Sequence, residues 1–457
     1  MKKEGVSPRP NIIFVMVDDQ GPWAYGAAGD PNARTPTLDR LCREGARLTN
    51  YFTMSPVCSP ARGCLVTGLY STEFGIPDYI SGRVRAQGVG LDPKFATWPR
   101  CLMQAGYTTA LVGKWHLGSP PTRHGYQEFV GGLIHTSKDP MVEIGGQSRR
   151  IKGYTADVTT DFAIDFIQRA KRKGEEPFLL SLHYFAPHAN TANRTPDGDR
   201  TWLPLSEADW GQFEGLDPMI PNPDYPDLDI PRLKRMTREY LASIASVDRN
   251  LGRLLDELER LGLDQNTLVV FTSDNGYNMG HNGIWHKGNG WWILIHNRGD
   301  RPNLYDNSLA APCIVRWPGV IEPGSVIEET LTHLDWFPTL AEIADASIPE
   351  GTTLRGRNML PILRGEETEW DNDLFAQYSM WEWNQNGAKL RTFRTPEWKL
   401  IRDFRHEGKD ELYHLEEDPA ETTNLIDSTD LAVQKVLERL NERLLERMRC
   451  IDDPQLA

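Results

Sequence analysis

Short apolar runs rich in β-branched residues recur along the chain, separated by amphipathic stretches. The runs are "NIIFVMV" (11–17), "YTTALVG" (107–113), "PFLLSLHYF" (177–185), "NTLVVFTS" (266–273) and "PCIVRW" (312–317). Strands that are apolar at consecutive positions are typical of a parallel sheet buried on both faces. The pattern therefore predicts an α/β domain with a large, mainly parallel mixed sheet between helices.

Two of the amphipathic stretches predict long helices. Apolar residues recur at three- or four-residue spacing from Met236 to Leu261, and Gly262 ends the pattern just before a strand. The stretch from Thr155 to Lys171 has a similar apolar face. Helices that alternate with strands in this way are the expected covering layers of a parallel sheet.

The pattern changes after about residue 370. Apolar and polar residues alternate over "DLFAQYSMWEWNQNGAKLRTFRTPEWKLIRDF", as they do in antiparallel strands, and an amphipathic helix is predicted at about 431–448. We therefore expect a main α/β domain over 1–370. A small C-terminal subdomain with an antiparallel sheet and a terminal helix is expected over 371–457.

The charge balance limits the possible partners. The formal net charge of −14 disfavours nucleic acid, because phosphate binding needs a basic surface, and any anion site must use local basic residues. No apolar run reaches the length of a membrane span, so no membrane partner is expected. The segment "MKKEGVSPRPNIIFVMVDDQG" resembles a core strand rather than a signal peptide. The chain as printed is expected to be cytoplasmic, or periplasmic or secreted if a signal segment has been removed.

The six cysteines show no CxxC pair and no zinc-ligand spacing. Cys64, Cys101 and Cys313 lie in apolar contexts typical of core residues. Cys58 differs, because in "SPVCSPARGCLVTG" (55–68) it lies among serine and proline residues, close to an arginine and an apolar stretch. A disulfide with Cys64 is disfavoured, since the two side chains would point apart on a helix. The setting of Cys58 therefore indicates chemistry rather than packing.

Polar residues follow four of the predicted strands. In chain order they are Asp18 and Asp19, Lys114 and His116, His188, and Asp274 and Asn275. Ligands of α/β folds bind at the carboxyl ends of parallel strands, which meet at one edge of the sheet. The sequence therefore predicts one site built from all four segments.

The acidic members of this group suit a hard cation. Carboxylate and amide oxygens, here from Asp18, Asp19, Asp274 and Asn275, are preferred by calcium and magnesium, whereas zinc would recruit more histidine or cysteine. Adjacent aspartates alone could equally cap a helix. We expect Ca²⁺, with Mg²⁺ as the second choice.

The basic members suit proton transfer and anion binding. Lys114 and His116 lie two residues apart, on the same side of an extended chain. His183 lies in mid-strand, as a structural histidine would, whereas His188 lies in the exit loop and is the preferred functional residue. Lys287, in "GIWHKGNG", is a candidate anion-binding residue.

Together these motifs resemble the formylglycine-dependent sulfatase family of the alkaline-phosphatase-like superfamily. "CSPAR" matches that family's C-x-P-x-R signature, and "VDDQG", "GKWHLG", "APH", "SDNG", the Lys287 loop and "APCIVRWPG" lie around it in family order. The resemblance runs from about residue 10 to 425. It ends in "ELYHLEEDPAETTNL", where His414 replaces an aspartate that is structural in the family.

The resemblance implies a sulfuric ester hydrolase with a modified cysteine. A formylglycine-generating maturation enzyme would oxidise Cys58 to formylglycine (3-oxoalanine), whose hydrate supplies the nucleophile. A geminal diol can attack sulfur with one oxygen and expel sulfate by using the other, which a thiolate cannot do. The implied metal ligands are Asp18, Asp19, Asp274, Asn275 and residue 58.

The resemblance also implies roles for the basic residues. Arg62, Lys114 and Lys287 would neutralise the sulfate and the hydrated aldehyde. His188 would protonate the departing alcohol, and His116 would take the proton whose removal releases sulfate.

The expected substrate is a sulfated carbohydrate or a small sulfate ester. In the long aromatic segment after Lys287, Trp291 and Trp292 could stack on a sugar and Arg298 and Arg301 could meet anionic groups, or the segment could be a lid over the core. "MWEWNQNG" (380–387) could close the pocket.

Two alternative functions stay open at this point. One is a phosphonate monoester hydrolase or phosphodiesterase of the same superfamily, and the other is a non-catalytic binder of sulfated glycans. The binder is disfavoured because every catalytic position of the family is filled.

Overall fold

The computed structural model describes residues 9–132, 136–174, 176–381 and 387–456. The strands of its first half are β1 (Asn11–Val17), β2 (Ala46–Leu48), β3 (Tyr51–Phe52), β4 (Thr108–Gly113), β5 (Glu128–Gly131), β6 (Met141–Ile144), β7 (Gln147–Arg150) and β8 (Phe178–His183). Those of the middle are β9 (Thr267–Ser273), β10 (Asn278–Met279), β11 (Ile284–His286), β12 (Asn289–Trp292), β13 (Asp300–Pro302), β14 (Cys313–Arg316), β15 (Ser325–Ile327) and β16 (Leu331–Thr332). The last are β17 (Leu374–Ser379), β18 (Lys389–Arg394), β19 (Trp398–Asp403) and β20 (Glu411–His414).

The helices alternate with these strands over most of the chain. They are α1 (Pro36–Glu44), α2 (Cys58–Thr67), α3 (Gly82–Ala86), α4 (Trp98–Gln104), α5 (Thr155–Lys173), α6 (Glu207–Trp210), α7 (Ile230–Arg260), α8 (Asp306–Leu309), α9 (Trp336–Ile343), α10 (Leu360–Leu363) and α11 (Leu431–Cys450). The long helices α5, α7 and α11 confirm the three helical predictions; α5 and α11 agree within two residues at each end, whereas α7 begins six residues before the predicted Met236.

A mixed, mainly parallel sheet forms the centre of the molecule. Its strand order is β15-β2-β14-β9-β1-β8-β4-β5-β6-β7. Strand β1 pairs in parallel with β8 and β9, and β4 pairs in parallel with β8 and β5. The antiparallel members are β14, between β9 and β2, and the β6–β7 hairpin at one edge. The predicted fold class is therefore confirmed.

The apolar run of β1 is explained by burial on both faces. Ile12, Phe14 and Met16 belong to one apolar cluster, and the alternate residues from Ile13 to Val17 belong to another. Helices α5 and α7 contribute apolar side chains to the second cluster, and α4 and α9 contribute to the first. Since both faces of the strand are covered, no polar position interrupts it.

The small C-terminal sheet is antiparallel, with the order β17-β18-β19-β20, as the alternating pattern predicted. Helix α11 packs on it through Leu440, Leu444 and Met448, which lie in the same apolar cluster as Phe14 of the central sheet. The C-terminal sheet and the central sheet therefore share one continuous core. A division of the chain near residue 370 stays a prediction.

Helices of the described residues lack the combination of length and apolar character that a membrane crossing needs.

Candidate active site

The four strands that precede the predicted polar residues are neighbours in the central sheet. Their order is β9-β1-β8-β4, and they are parallel, so their carboxyl ends lie at one edge. A cavity of about 440 Å³ lies at this edge. The predicted catalytic residues that line it are Cys58, Lys114, His116, His188 and Lys287. A larger groove of about 720 Å³ holds none of the predicted residues and is lined by several glutamates, which would repel an anion.

Residue 58 is the first residue of helix α2. No side chain caps this helix end, and backbone N–H groups at a helix N-terminus favour a negative charge. Cys58 Sγ lies 3.2 Å from Asp18 Oδ1 and 2.7 Å from Lys287 Nζ. Burial raises the pKa of the Cys58 thiol, and the Asp18 carboxylate raises it further. An unmodified thiol would therefore stay protonated at neutral pH and would be a poor nucleophile.

Glycine at the end of β4 allows the neighbouring segments to approach. Gly113 has φ +111°, and a Cβ at this position would lie 1.9 Å from the carbonyl oxygen of His183 in β8. The Lys114 backbone N–H then donates to that same carbonyl at 2.9 Å. Only glycine permits this contact, which directs the Lys114–His116 segment into the cavity.

The acidic residues at the ends of β1 and β9 lie in the protein interior. The Asp19 N–H donates to Asp274 Oδ1 at 3.2 Å, and Asn275 Nδ2 donates to Asp19 Oδ1 at 2.9 Å. Ligand atoms of Asp18, Asp19, Asp274 and Cys58 lie within 4.8 Å of one another. Asn275 Oδ1 is buried and has no hydrogen-bond partner among the described residues. Converging oxygens of this kind fit a hard divalent cation.

Three buried cations face these carboxylates. Arg62 Nε donates to Asp274 Oδ2 at 2.9 Å. Lys114 forms an ion pair with Asp18, and Lys287 forms one with Asp19. Burial alone would raise the pKa of Asp18, but Lys114 and the other nearby cations hold it well below its usual value. Three positive charges balance three negative ones, so a bound divalent cation would make the site attractive to an anionic ester.

Each predicted proton-transfer histidine has one ring nitrogen held by a carbonyl. His116 Nε2 donates to the Ile80 carbonyl at 3.0 Å, which leaves Nδ1 buried without a partner among the described residues. Burial and the Lys114 charge hold the pKa of His116 well below its usual value. Since a carbonyl can only accept, the neutral ring has its lone pair on Nδ1, as a base requires.

His188 has the opposite arrangement of its ring nitrogens. Nδ1 donates to the Ala189 carbonyl at 2.6 Å, and Nε2 lies 3.7 Å from Asp19 Oδ2. Burial lowers the pKa of His188, and the carboxylates of Asp18 and Asp19 oppose this effect. Nε2 is thus the atom that can gain a proton next to negative charge and pass it on.

His183 lies behind the site, not in the cavity. Its Nδ1 lies 3.0 Å from the Lys114 carbonyl and 3.4 Å from Arg62 Nη1. Burial, reinforced by Arg62, lowers the pKa of His183 to about 3. This histidine is a neutral support for the Lys114 segment.

The predicted substrate residues are only partly brought together. Trp291 lines the cavity, next to His286 at a ring-centroid distance of 4.6 Å. Trp292, Arg298 and Arg301 do not line it. Arg298 pairs with Asp229 at 2.5 Å, whereas Arg301 bonds Glu411 Oε1 at 2.7 Å and lies over the Trp292 ring at 5.7 Å.

Alternation along β12 explains this separation. Neighbouring residues of a strand point to opposite faces, so Trp291 and Trp292 cannot both face the cavity. Of the predicted closing segment 380–387, Met380 lines the cavity, and residues 382–386 lie outside the described residues.

Some cavity residues were missed by the sequence-based prediction. His286 precedes Lys287 directly, and its Nδ1 lies 2.9 Å from Asn289 Oδ1, so the aromatic lysine loop offered a signal. Arg200 lies in a polar loop far from any strand end, and no local pattern marked it.

The arrangement of the cavity suits hydrolysis of an anionic ester. A helix N-terminus and buried cations can bind the anion, and two histidines with complementary free nitrogens can move protons.

Comparisons with known proteins give the family. The sulfatase family profile matches residues 10–346, and the profile of the N-sulphoglucosamine sulphohydrolase C-terminal region matches residues 296–449. The chain therefore belongs to the sulfatase family and is a sulfuric ester hydrolase. Members of this family generally use formylglycine and a divalent metal, and the acidic cluster at the end of β1 and β9 could hold such an ion.

Individual relatives align over most of their length. The N-acetylglucosamine-6-O-sulfatase of Bacteroides thetaiotaomicron is 29% identical, with 95% of this chain and 86% of the relative covered. The steryl-sulfatase of Rattus norvegicus is also 29% identical, with 81% and 73% covered. A solved structure in complex with its substrate D-glucosamine-2-N,6-O-disulfate superposes with a TM-score of 0.81 at 26% identity, covering 98% of this chain and 99% of that one.

Proposed function

We propose that this sulfatase cleaves a sulfate monoester of a sulfated carbohydrate, with a formylglycine hydrate at position 58 as nucleophile. The observation that carries the proposal is the position of residue 58. It lies at the uncapped start of α2, in contact with Asp18 and Lys287, where an attacking oxygen and an anionic ester would both be stabilised. A maturation enzyme would oxidise Cys58 to supply this hydrate, because a thiolate that attacked sulfur would have no second oxygen with which to expel sulfate, and the buried thiol is in any case a weak nucleophile.

The metal we propose is Ca²⁺, with Mg²⁺ as the second choice. The residues that would hold it are Asp18, Asp19, Asp274 and Asn275, together with residue 58. All of the side-chain donors other than residue 58 are oxygens, which favours these hard ions over zinc. When bound, such a cation polarises sulfate oxygens and favours the anionic form of the nucleophile.

The basic residues then have separate roles in the proposal. Arg62, Lys114 and Lys287 hold negative charge at the start of α2, around residue 58. His188 donates a proton through Nε2 to the departing alcohol oxygen. His116 accepts a proton through Nδ1 when sulfate is released.

A carbohydrate substrate is supported by the cavity and by two comparisons. About 440 Å³ is within the range of cavities that enclose small ligands, and Trp291 offers an aromatic face suited to a sugar ring. The relatives compared above include an N-acetylglucosamine-6-O-sulfatase and a complex with a disulfated glucosamine.

The proposal is tested by measuring sulfate release from a panel of defined sulfated mono- and oligosaccharides. The protein is produced with a formylglycine-generating enzyme, and the Cys58→Ala variant is the matched control. We expect turnover of at least one sulfated sugar by the wild type and none by the variant. Faster turnover of an aryl phosphonate or a phosphodiester than of every sulfate ester would overturn the proposal in favour of the phosphonate alternative.

A further inference from the structure

One wall of the cavity is formed by the loop that follows His188. Arg194 and Arg200 face each other in this loop across an isolated antiparallel bridge. The Thr195 N–H donates to the Asp199 carbonyl at 3.0 Å and closes the turn between them. Arg200 lines the same cavity as Cys58, His188 and Trp291. The loop therefore presents the Arg200 guanidinium to the proposed sugar site, and the exposed Arg194 lies next to it across the bridge.

Neither guanidinium pairs with a carboxylate of the described residues. The acid of the loop, Asp199, pairs instead with Arg232 at 2.7 Å and Arg235 at 2.6 Å, outside the cavity. Among the residues that the structure describes, Arg194 Nη1 donates to the backbone carbonyls of Asn190, Thr191 and Asn193 at 2.8 to 3.1 Å. Within the described ranges, no carboxylate oxygen lies within 4 Å of Arg194 or Arg200, although Asp300 also lines the cavity.

The surroundings of Arg200 make this lack of a counter-ion costly. Its side chain is partly buried, and burial followed by the Arg194 charge lowers the pKa of Arg200. Arg194 itself is exposed, but its charge disfavours the partly buried Arg200 cation unless an anion binds beside them. The buried hydroxyl of Tyr277 also lacks a hydrogen-bond partner among the described residues. This hydroxyl interacts electrostatically with Arg200.

We infer that Arg200, with the charge of Arg194 close by, forms a subsite for a second anionic group on the substrate, a sulfate or a carboxylate carried beside the ester that is cleaved. The preferred substrate is then a polyanionic sugar rather than a neutral sugar with one sulfate. This inference rests on the proposed function and deepens it. Guanidinium groups suit the role because they bind the planar or tetrahedral oxygens of such groups through two parallel N–H donors.

Matched substrate pairs test the subsite. The pairs are D-glucosamine 6-O-sulfate with D-glucosamine-2-N,6-O-disulfate, and phenyl sulfate with its 3-sulfonate and 3-carboxylate analogues. The wild type is expected to prefer the member with the second anion in kcat/KM. Arg200→Gln should reduce kcat/KM for that member by about 10- to 100-fold, as expected for a lost charge-assisted hydrogen bond, and leave the other member within about 3-fold. Arg200→Lys should recover part of the preference.

The controls separate this inference from the proposed function. Arg149→Gln, on the exposed strand β7, should change neither member of a pair. Equal losses for both members in Arg200→Gln, or no preference in the wild type, would overturn the subsite while leaving sulfatase activity intact. If no sugar is turned over, the affinity of the wild type and of Arg200→Gln for D-glucosamine-2-N,6-O-disulfate, measured by calorimetry, still tests the subsite. Binding weakened by Arg200→Gln would support the subsite although the proposed function had failed, and unchanged or undetectable binding would refute it.

Discussion

Replacing His188 by alanine should impair sugar sulfates far more than activated aryl sulfates. A sugar alkoxide is a poor leaving group and needs a proton from His188 Nε2, whereas a nitrophenolate leaves without one. The ring is already oriented for this task, because Nδ1 donates to the Ala189 carbonyl at 2.6 Å and Nε2 lies 3.7 Å from Asp19 Oδ2. Proton transfer by a positioned side chain contributes about 100- to 10,000-fold, so kcat should fall by that factor for the sugar and by less than about 10-fold for the aryl ester.

Replacing His116 by alanine should give a different kinetic pattern. His116 acts after the alcohol has left, so both substrate classes should slow through the same later step. A stopped-flow assay of nitrophenol release should show a burst followed by slow turnover, provided that the first step remains faster than sulfate release. The peptide that contains residue 58 should then carry a sulfate-sized mass addition.

His183→Ala is the matched control for the assignment of the general acid. His183 contacts Arg62 and the Lys114 carbonyl and lies outside the cavity, so its loss should lower stability and slow both substrates alike. A leaving-group dependence in His183→Ala, with none in His188→Ala, would refute the assignment.

The remaining predictions concern stability and metal. Asp248 accepts N–H bonds from Thr37 and Leu38 at the start of α1, and burial raises its pKa to about 6 from 3.8. Because the folded-state pKa is the higher one, the stability that Asp248 contributes is greatest below its unfolded pKa of 3.8 and is lost as the pH rises through 6. In urea titrations, the free energy of unfolding of the wild type relative to Asp248→Asn should therefore fall by about 2 kcal/mol between pH 4 and 8. A difference between the two proteins that does not change with pH would contradict this. Lys399→Met should lower the free energy of unfolding by about 3 kcal/mol, because buried Lys399 bridges Asp306 at 2.8 Å and Glu421 at 2.6 Å. The exposed Lys409 is the control, and Lys409→Met should have no effect in the same urea titrations. A chelator should abolish sulfate release and Ca²⁺ should restore it, and restoration by Zn²⁺ alone would contradict the proposed oxygen-rich site.

The central sheet was predictable because its strands are buried on both faces. A strand such as β1 must be apolar at every position, and this pattern is visible without any partner strand. The polar residues after it could be grouped because parallel strands end at one edge of a sheet, which brought Asp18, Lys114 and Asp274 together.

The wall of the cavity was not predictable in the same way. Arg200 enters through a loop whose path depends on long-range contacts such as the hydrogen bond from Trp202 Nε1 to the Pro187 carbonyl at 2.5 Å. Arg301 lies in a segment that the sequence predicted to bind substrate, but its guanidinium donates to Glu411 of the C-terminal sheet. Partners that lie far apart in the sequence, such as Arg301 and Glu411, leave no local sequence pattern. The residues next to an arginine in the sequence therefore did not show whether it binds substrate or supports the fold.

The chemical state of residue 58 tests the account most directly. Active enzyme, made with the maturation enzyme, is digested and the peptide containing residue 58 is weighed intact, in parallel with an assay of sulfate release on the same sample. We expect a mass in which sulfur is replaced by oxygen and two hydrogens are lost, at an occupancy that rises in proportion to activity. Full activity in a sample whose residue 58 is an unmodified thiol would contradict the account.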